Sequence, residues 1–343
     1  MSSKAVFYLR EFAVLIRLQN VGTSLTAIIG ALSAVGQNLY LLDFLMLFLM
    51  AAITNVGGQI HNDIVDFEID KNSSDLKERP LVKGSFSKSS AKAMVLVCLA
   101  INVAIALFYF GGILAFGVLV ASMIFGTLYN LYSKKIMGSD IFLSVSFALF
   151  ALYGAMVVIP GFTSFSDVGL LTWIIVGMSF VHVQIMNSFQ GGLKDVKNDA
   201  KMKAKTLAVQ LGVRVSKDDE LSIPLSFSLF NLVFVALTVV FATIPFFVEQ
   251  VSLSIVQKAL IVVLLAWMLS TGFRLLKMKK FDKSKIKHLI RNHELARFSL
   301  VPVLLFDVIG FFWLIFLVVE PLVWFVVFNY LLYGERWSKP KVY

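Results

Sequence analysis

Long apolar runs and polar stretches alternate along the whole chain. The apolar runs lie at 12–36, 41–62, 92–110, 113–132, 139–160, 168–191, 223–247, 253–275 and 299–319. Most are close to the ~20 residues that an α-helix needs to cross a bilayer. The pattern predicts an all-α, polytopic membrane helical bundle of about nine transmembrane helices.

The polar stretches are of two kinds. Long ones fall at 63–91, 192–222 and 276–298, with a short basic one at 133–138. The turns near 37–40, 111–112, 161–167 and 248–252 carry no Lys or Arg. Of the 31 Lys and Arg residues, only Lys258 lies on the turn side. Positive charge concentrates on the cytoplasmic side of membrane proteins, so the amino terminus and the long loops are expected there. The carboxyl end breaks the alternation. Nine spans would leave the tail outside, yet it carries Arg336, Lys339 and Lys341. The run 299–334 is interrupted at Glu320-Pro321, and 322–334 is short for a span. The expectation is nine spans with a half-inserted or interfacial final segment; the alternative is a tight hairpin that returns the tail to the cytoplasm.

Composition agrees. The 343 residues are 58% hydrophobic and 15% charged, with a mean hydropathy of +0.84; a soluble domain carries about 25% charged residues. Cys98 is the one cysteine, which excludes an intramolecular disulfide and a cysteine-based zinc cluster. The net charge of +10 follows the membrane topology, so no nucleic-acid partner is expected, and membrane lipids are.

The chemistry concentrates in His61-Asn62-Asp63-Ile64-Val65-Asp66-Phe67-Glu68-Ile69-Asp70, just after an apolar run. On a helix, Asn62, Asp66 and Asp70 share one face, with Asp63 beside them. Carboxylates on one stripe repel one another unless a cation sits among them. Oxygen ligands without His or Cys suit Mg²⁺, which completes its shell with water and phosphate oxygens. A solvated helix end beyond the bilayer would look similar. The loop that follows carries Lys77, Arg79 and Lys83, charges that suit a diphosphate or that simply obey the topology rule. The run 113–132 ends in Tyr129, Asn130 and Tyr132, followed by Lys134 and Lys135: a phosphate contact, or an interfacial anchor. Arg17, Gln19 and Asn20 interrupt the first apolar run; polar groups at that depth are functional candidates, although Arg17 can also reach the surface.

A second stripe follows the sixth run. His182, Gln184, Asn187 and Gln190 lead to Gly191, Gly192, Leu193, Lys194, Asp195 and Asp199, and then to Lys201, Lys203, Lys205 and Thr206. Asp195 and Asp199 are again four apart. Asp66 to Asp195 and Asp70 to Asp199 are both spaced by 129 positions. This predicts one membrane domain over 1–343 made of two four-helix halves, 12–132 and 139–275. Residues 276–343 add a basic loop, a last helix and a tail. Two such stripes on the cytoplasmic side suggest a two-sided diphosphate–Mg²⁺ clamp.

These residues resemble the UbiA superfamily of intramembrane prenyltransferases. Its N-D-x-x-D-x-x-x-D motif is matched by Asn62, Asp63, Asp66 and Asp70, and its R-P-x-x-x-G element by Arg79, Pro80 and Gly84. A Tyr-Ser motif matches Tyr132 and Ser133. The second motif is matched by Asp195, Asp199, Lys205, Thr206, Leu207, Val209, Leu211 and Gly212. Two departures are visible. Gly191-Gly192 stands where members often have Lys-Asp, and the stretch before Arg79 is slightly long. The resemblance implies nine transmembrane helices around a central cavity, and a Mg²⁺-dependent enzyme with a polyprenyl diphosphate donor and a lipophilic acceptor. Asn62, Asp66, Asp70, Asp195 and Asp199 would hold the metal. Arg79, Lys134 and Lys205 would stabilise the leaving group. Asp63, Arg17, Asn20, Tyr132, Lys194 and Asn187 would line the substrates.

The start Ile16-Arg17-Leu18-Gln19-Asn20 looks more like archaeal lipid-forming members, which alkylate a glycerol hydroxyl, than like quinone-forming members with aromatic acceptors. The expected reaction is therefore geranylgeranyl transfer to a glycerol-phosphate ether lipid precursor. A secondary transporter could also have repeated halves, but its carboxylates belong at the bilayer midplane rather than at cytoplasmic helix ends.

Overall fold

The computed structural model describes residues 3–22, 24–71 and 77–334. Residues 72–76, in the long stretch before Arg79, and the basic tail beyond 334 lie outside the described residues. In chain order the elements are α1 (Ser3–Leu15), α2 (Leu18–Val21), α3 (Thr26–Val35), α4 (Leu41–Val65), α5 (Phe67–Lys71), α6 (Lys88–Ala104) and α7 (Ile113–Tyr132). They continue as α8 (Asp140–Met156), α9 (Leu170–Gln184), α10 (Gly192–Lys201), α11 (Leu207–Gln210), α12 (Leu225–Thr243), α13 (Ile255–Leu276) and α14 (Lys283–Tyr333). Wider π-type turns extend α6 over Ile105–Phe110 and join α9 to α10 over Ile185–Gly191. The chain is helical as expected. Among the described residues, eight helical stretches are long and apolar enough to cross a membrane, and Asp140–Met156 is a shorter apolar helix.

In a bilayer, helices gain little from the hydrophobic effect and pack where small residues let backbones approach. The α3–α8 seam does this reciprocally. A Cβ on Gly30 would stand 1.9 Å from the Ala151 carbonyl oxygen, and one on Gly154 would stand 2.0 Å from that of Ala27. Around this seam α8 also packs against α7 and α9. Leu47, Met50 and Tyr153 are among the side chains that fill the interior, and residues such as Phe108, Ile113 and Ile255 point outward.

The structure corrects three expectations. The first apolar run is not one helix. Arg17 takes a left-handed conformation, φ 49°, between α1 and α2, and the span begins at Leu18. The basic stretch 276–298 is a loop only up to Asp282. Asp282 caps α14 by accepting from the Ser284 and Lys285 N–H groups, and Ile286, Leu289, His293, Ala296, Arg297 and Leu300 recur at helical spacing on its buried face. The expected loop 192–222 begins with the turns of α10 and closes with a two-stranded ladder, β1 (Arg214–Val215) against β2 (Leu221–Ser222).

The final segment is a hairpin. Gly310, at φ 70° and ψ −179°, breaks α14 into two limbs, while the helix runs on through Pro321. The first limb lies along α13: Gln257 Nε2 donates to the Val303 carbonyl at 3.1 Å, and Gly272 faces His293. Gly310 meets Gln37 at the turn side. The second limb then runs back. Trp313 and Phe316 pack on Phe44, Trp324 Nε1 donates to the Leu18 carbonyl at 2.8 Å, and Arg10 donates to the Leu332 carbonyl at 3.0 Å. The hairpin alternative therefore holds, and residue 333 returns to the side of residue 10.

Candidate active site

The first acidic stripe sits where α4 gives way to α5. The Asp66 N–H donates to the Asn62 carbonyl and the Asp70 N–H to the Asp66 carbonyl, both at 2.9 Å, so the helical phase survives the junction. Asp63, Asp66 and Asp70 are all buried. Buried carboxylates need cations, and the chain brings its own. Arg17 Nη2 donates to Asp63 Oδ1 at 2.6 Å, and Arg79 donates to the same oxygen at 3.1 Å and also to Asp70. Lys134 Nζ donates to Asp66 Oδ2 at 2.7 Å. The Asn62 amide reaches Asp66 only at 3.5 Å. The left-handed turn at Arg17, strained by about 1–3 kcal/mol, starts α2 alongside α4, where Arg17 bonds Gln59 as well as Asp63.

Asp70 is the least satisfied of these groups. Its Oδ1 is buried without a hydrogen-bond partner among the described residues. Burial pushes its carboxyl above the usual carboxylate range, against the pull of Arg79 and Lys134.

The second stripe lies on α10. Asp199 is buried, whereas the Asp195 side chain is 43% exposed and pairs with neighbouring Lys194 at 3.4 Å. The two stripes meet at the end of α7. Lys134, paired to Asp66, lines one small cavity together with Asn198, Asp199 and Ala204. The Lys134 carbonyl accepts the Lys205 N–H at 2.9 Å, which ties the loop after α10 to the loop after α7. The Tyr129 phenol is within electrostatic reach of Asp66, Asp140 and Asp199 at once. Lys134 and Tyr129 thus stand between Asp66 and Asp199, which come from opposite halves of the sequence.

Asn187 sits in the π-type turn before α10 and donates to the Val183 carbonyl of its own helix at 3.2 Å. Asn20 lies in α2, Tyr132 closes α7 with an exposed ring, and the Lys205 side chain is exposed. Among the described residues, no three His, Cys, Asp or Glu side chains converge closely enough to hold a metal ion as they stand.

Two features were not nominated from the sequence. Asp140, at the start of α8, lies within the electrostatic reach of Asp199. Arg297 is fully buried in the first limb of α14. It donates to the His182 carbonyl at 3.0 Å and to Gln190 Oε1 at 3.2 Å, and Gln190 also meets His293 at 2.8 Å. This cluster braces the π-type turn that sets the phase of α10. Its signal was an arginine at helical spacing among apolar residues, hidden in a stretch that read as charged loop.

Residues 23–293 match the UbiA prenyltransferase family, and the chain belongs to that family. It is 30% identical over 262 residues, 73% of this chain and 87% of its relative, to digeranylgeranylglyceryl phosphate synthase of Saccharolobus solfataricus. The protein of the same name from Sulfolobus acidocaldarius is 28% identical over 59% of this chain and 70% of its own length. Among solved structures, a digeranylgeranylglyceryl phosphate synthase superimposes with a TM-score of 0.63 at 22% identity, covering 87% of this chain and 99% of the other. A UbiA homologue from Archaeoglobus fulgidus bound to GPP and Mg²⁺ superimposes with a TM-score of 0.58 at 16% identity, over 85% and 99% of the two chains. The fold is that of these membrane prenyltransferases.

Proposed function

We propose that this chain transfers a geranylgeranyl group from its diphosphate to a hydroxyl of a glycerol-phosphate ether lipid precursor, with Mg²⁺, at the cytoplasmic side of the membrane. The observation that carries the reading is the approach of Asp66 and Asp199 to one lysine, Lys134. A diphosphate with Mg²⁺ is the ligand that such an acidic and basic cluster suits.

The donor set fits that metal. Asn62, Asp66, Asp70, Asp195 and Asp199 offer only oxygen, and Asp70 has an oxygen to spare. When bound, Mg²⁺ supplies neutralisation of the diphosphate oxygens. The chain's own cations do the rest. Arg79 and Lys134, here paired to the carboxylates, would turn their charge to the leaving diphosphate, with Lys205 as a third. Asp63 holds Arg17 and Arg79 in place for this. As the allylic C–O bond breaks, the electron pair leaves with the diphosphate, the acceptor hydroxyl oxygen bonds to the allylic carbon, and the hydroxyl proton passes to the departing diphosphate. The apolar helices exclude water that would otherwise quench the cation. The basic loops, by the positive-inside rule, support a cytoplasmic opening.

The relatives' names favour the glycerol-based acceptor over an aromatic one. The test is incubation of purified protein with labelled geranylgeranyl diphosphate and a panel containing a glyceryl ether phosphate and hydroxybenzoate. Ether product supports the proposal, prenylated hydroxybenzoate would replace it, and the absence of any prenylated product would revive the transporter reading.

A further inference from the structure

Arg79 reaches Asp63 and Asp70 from a tight turn rather than from a helix. The Lys83 N–H donates to the Arg79 carbonyl at 2.8 Å, and the Ser85 and Phe86 N–H groups donate to the Pro80 carbonyl at 2.9 and 3.4 Å. Gly84 lets the turn close at φ 83°, which glycine adopts without steric cost. A loop places a side chain less precisely than a helix does unless a supporting contact locks it.

The supporting contact comes from α1. Glu11 is a carboxylate only 8% exposed. Its Oε1 accepts from Lys83 Nζ at 3.2 Å and its Oε2 from the Ser85 hydroxyl at 2.5 Å. Those are the residues whose N–H groups close the turn onto Arg79 and Pro80. Apolar packing fixes the same junction. Phe12 meets Phe86 with ring centroids 6.4 Å apart, and Leu81 is buried in one cluster with Leu15 and Ile16. Lys83 also stands 5.4 Å from the Phe7 ring and 4.0 Å from the exposed Glu78.

A buried carboxylate facing a part-exposed lysine is a poor source of stability, because its desolvation offsets the attraction. An apolar residue beside Leu15 would serve the fold as well. What Glu11 adds is a fixed direction. α1 in this way supports both arginines on Asp63 Oδ1. Arg17, two residues beyond its end, donates there at 2.6 Å, and Arg79, on the turn that Glu11 holds, at 3.1 Å.

We propose that Glu11 is a positioning residue for the transfer. It holds the backbone of Arg79 still, so that only the guanidinium has to turn from the carboxylates to the leaving diphosphate. This rests on the reading above that Arg79 serves the diphosphate. A charge held in place beforehand needs no reorganisation during the reaction, and a displacement of about 1 Å can cost about 10²-fold in rate.

The test uses the full chain in lipid nanodiscs with geranylgeranyl diphosphate, Mg²⁺ and a glyceryl ether phosphate bearing one free hydroxyl. Glu11→Leu keeps a helix former and an apolar contact and removes both hydrogen bonds. It is expected to lower kcat by about 10-fold or more and to leave the acceptor KM unchanged. The deciding measurement is a cycle with Arg79→Ala, which should itself cost about 10²–10³-fold. Adding Glu11→Leu to Arg79→Ala should cost nothing further, since the group it positions is gone. A brace with no connection to Arg79 would lower turnover by the same factor in both backgrounds. That additive result overturns the proposal, and so does wild-type kcat in Glu11→Leu. Should Glu11→Leu fail to fold, Glu11→Gln enters the same cycle and is read by the same two outcomes. Wild-type turnover in Arg79→Ala overturns both this inference and the role given to Arg79. A loss in Arg79→Ala with none in Glu11→Leu overturns this inference alone. If the wild-type protein prenylates only hydroxybenzoate, the proposed function fails, and the same cycle run with that acceptor still decides for or against Glu11.

Discussion

The Lys134 ammonium lies 2.7 Å from the Asp66 carboxylate, and its own backbone carbonyl holds the N–H of Lys205 at 2.9 Å. One residue at the end of α7 thereby joins the first acidic stripe to the loop that follows the second. Lys134→Met is expected to lower kcat by about 10²–10³-fold, the cost of losing one preorganised charge at a reacting centre. Lys134→Arg should keep part of the rate. Steady-state kinetics against the diphosphate donor check this; wild-type turnover in Lys134→Met would remove Lys134 from the machinery.

Asp66 and Asp195 should be equally necessary for turnover and unequal for stability. Either alanine substitution is expected to cost around 10²–10³-fold in rate. Asp66→Ala also strands Lys134 in a half-buried setting, a loss of about 1–2 kcal/mol after discounting for the exposed lysine. Asp195 pairs with Lys194 in the open, so Asp195→Ala should cost less than about 1 kcal/mol. Thermal unfolding in detergent, read beside the kinetics, distinguishes the two.

Removal of divalent ions should abolish turnover, with Mg²⁺ restoring it. In the presence of an unreactive diphosphate analogue, Mg²⁺ should also stabilise the fold, by about 2.7 kcal/mol when ligand exceeds its Kd a hundredfold. Full activity in excess chelator would contradict the metal.

Arg297 braces the turn before α10 with charged hydrogen bonds, each worth about 1.5–3 kcal/mol. Arg297→Ala is expected to lower the melting temperature and, because the phase of α10 loosens, to raise the Mg²⁺ concentration needed for half-maximal activity. A destabilised variant with unchanged Mg²⁺ dependence would reduce Arg297 to a packing role.

The hairpin at Gly310 fixes a topology. In a Cys98→Ala background, a cysteine at Lys279 and one at Tyr333 should react with a membrane-impermeant thiol reagent from the same side of sealed vesicles. A cysteine at Gln37 should react from the opposite side. Labelling of Tyr333→Cys together with Gln37→Cys would return the final segment to a half-inserted one.

The sequence by itself determined the class of fold and the chemistry of the site. Uninterrupted apolar runs have no place but the bilayer, where every backbone group must pair within its own helix, so hydropathy alone dictates helices and nearly dictates their limits. Acidic spacing of four is likewise a local property of a helix. What only the tertiary structure decided depends on contacts between distant segments. The basic stretch after Asp282 became helix because one face of it, from Ile286 to Leu300, is buried, which charge counting cannot foresee. The last segment turns at Gly310 rather than at Pro321, because neighbouring residues can accommodate a proline inside a membrane helix while φ 70° requires glycine. The pairing of Asp63 with Arg17 and Arg79, and of Asp66 with Lys134, was invisible in the chain, since each is set by which helices touch.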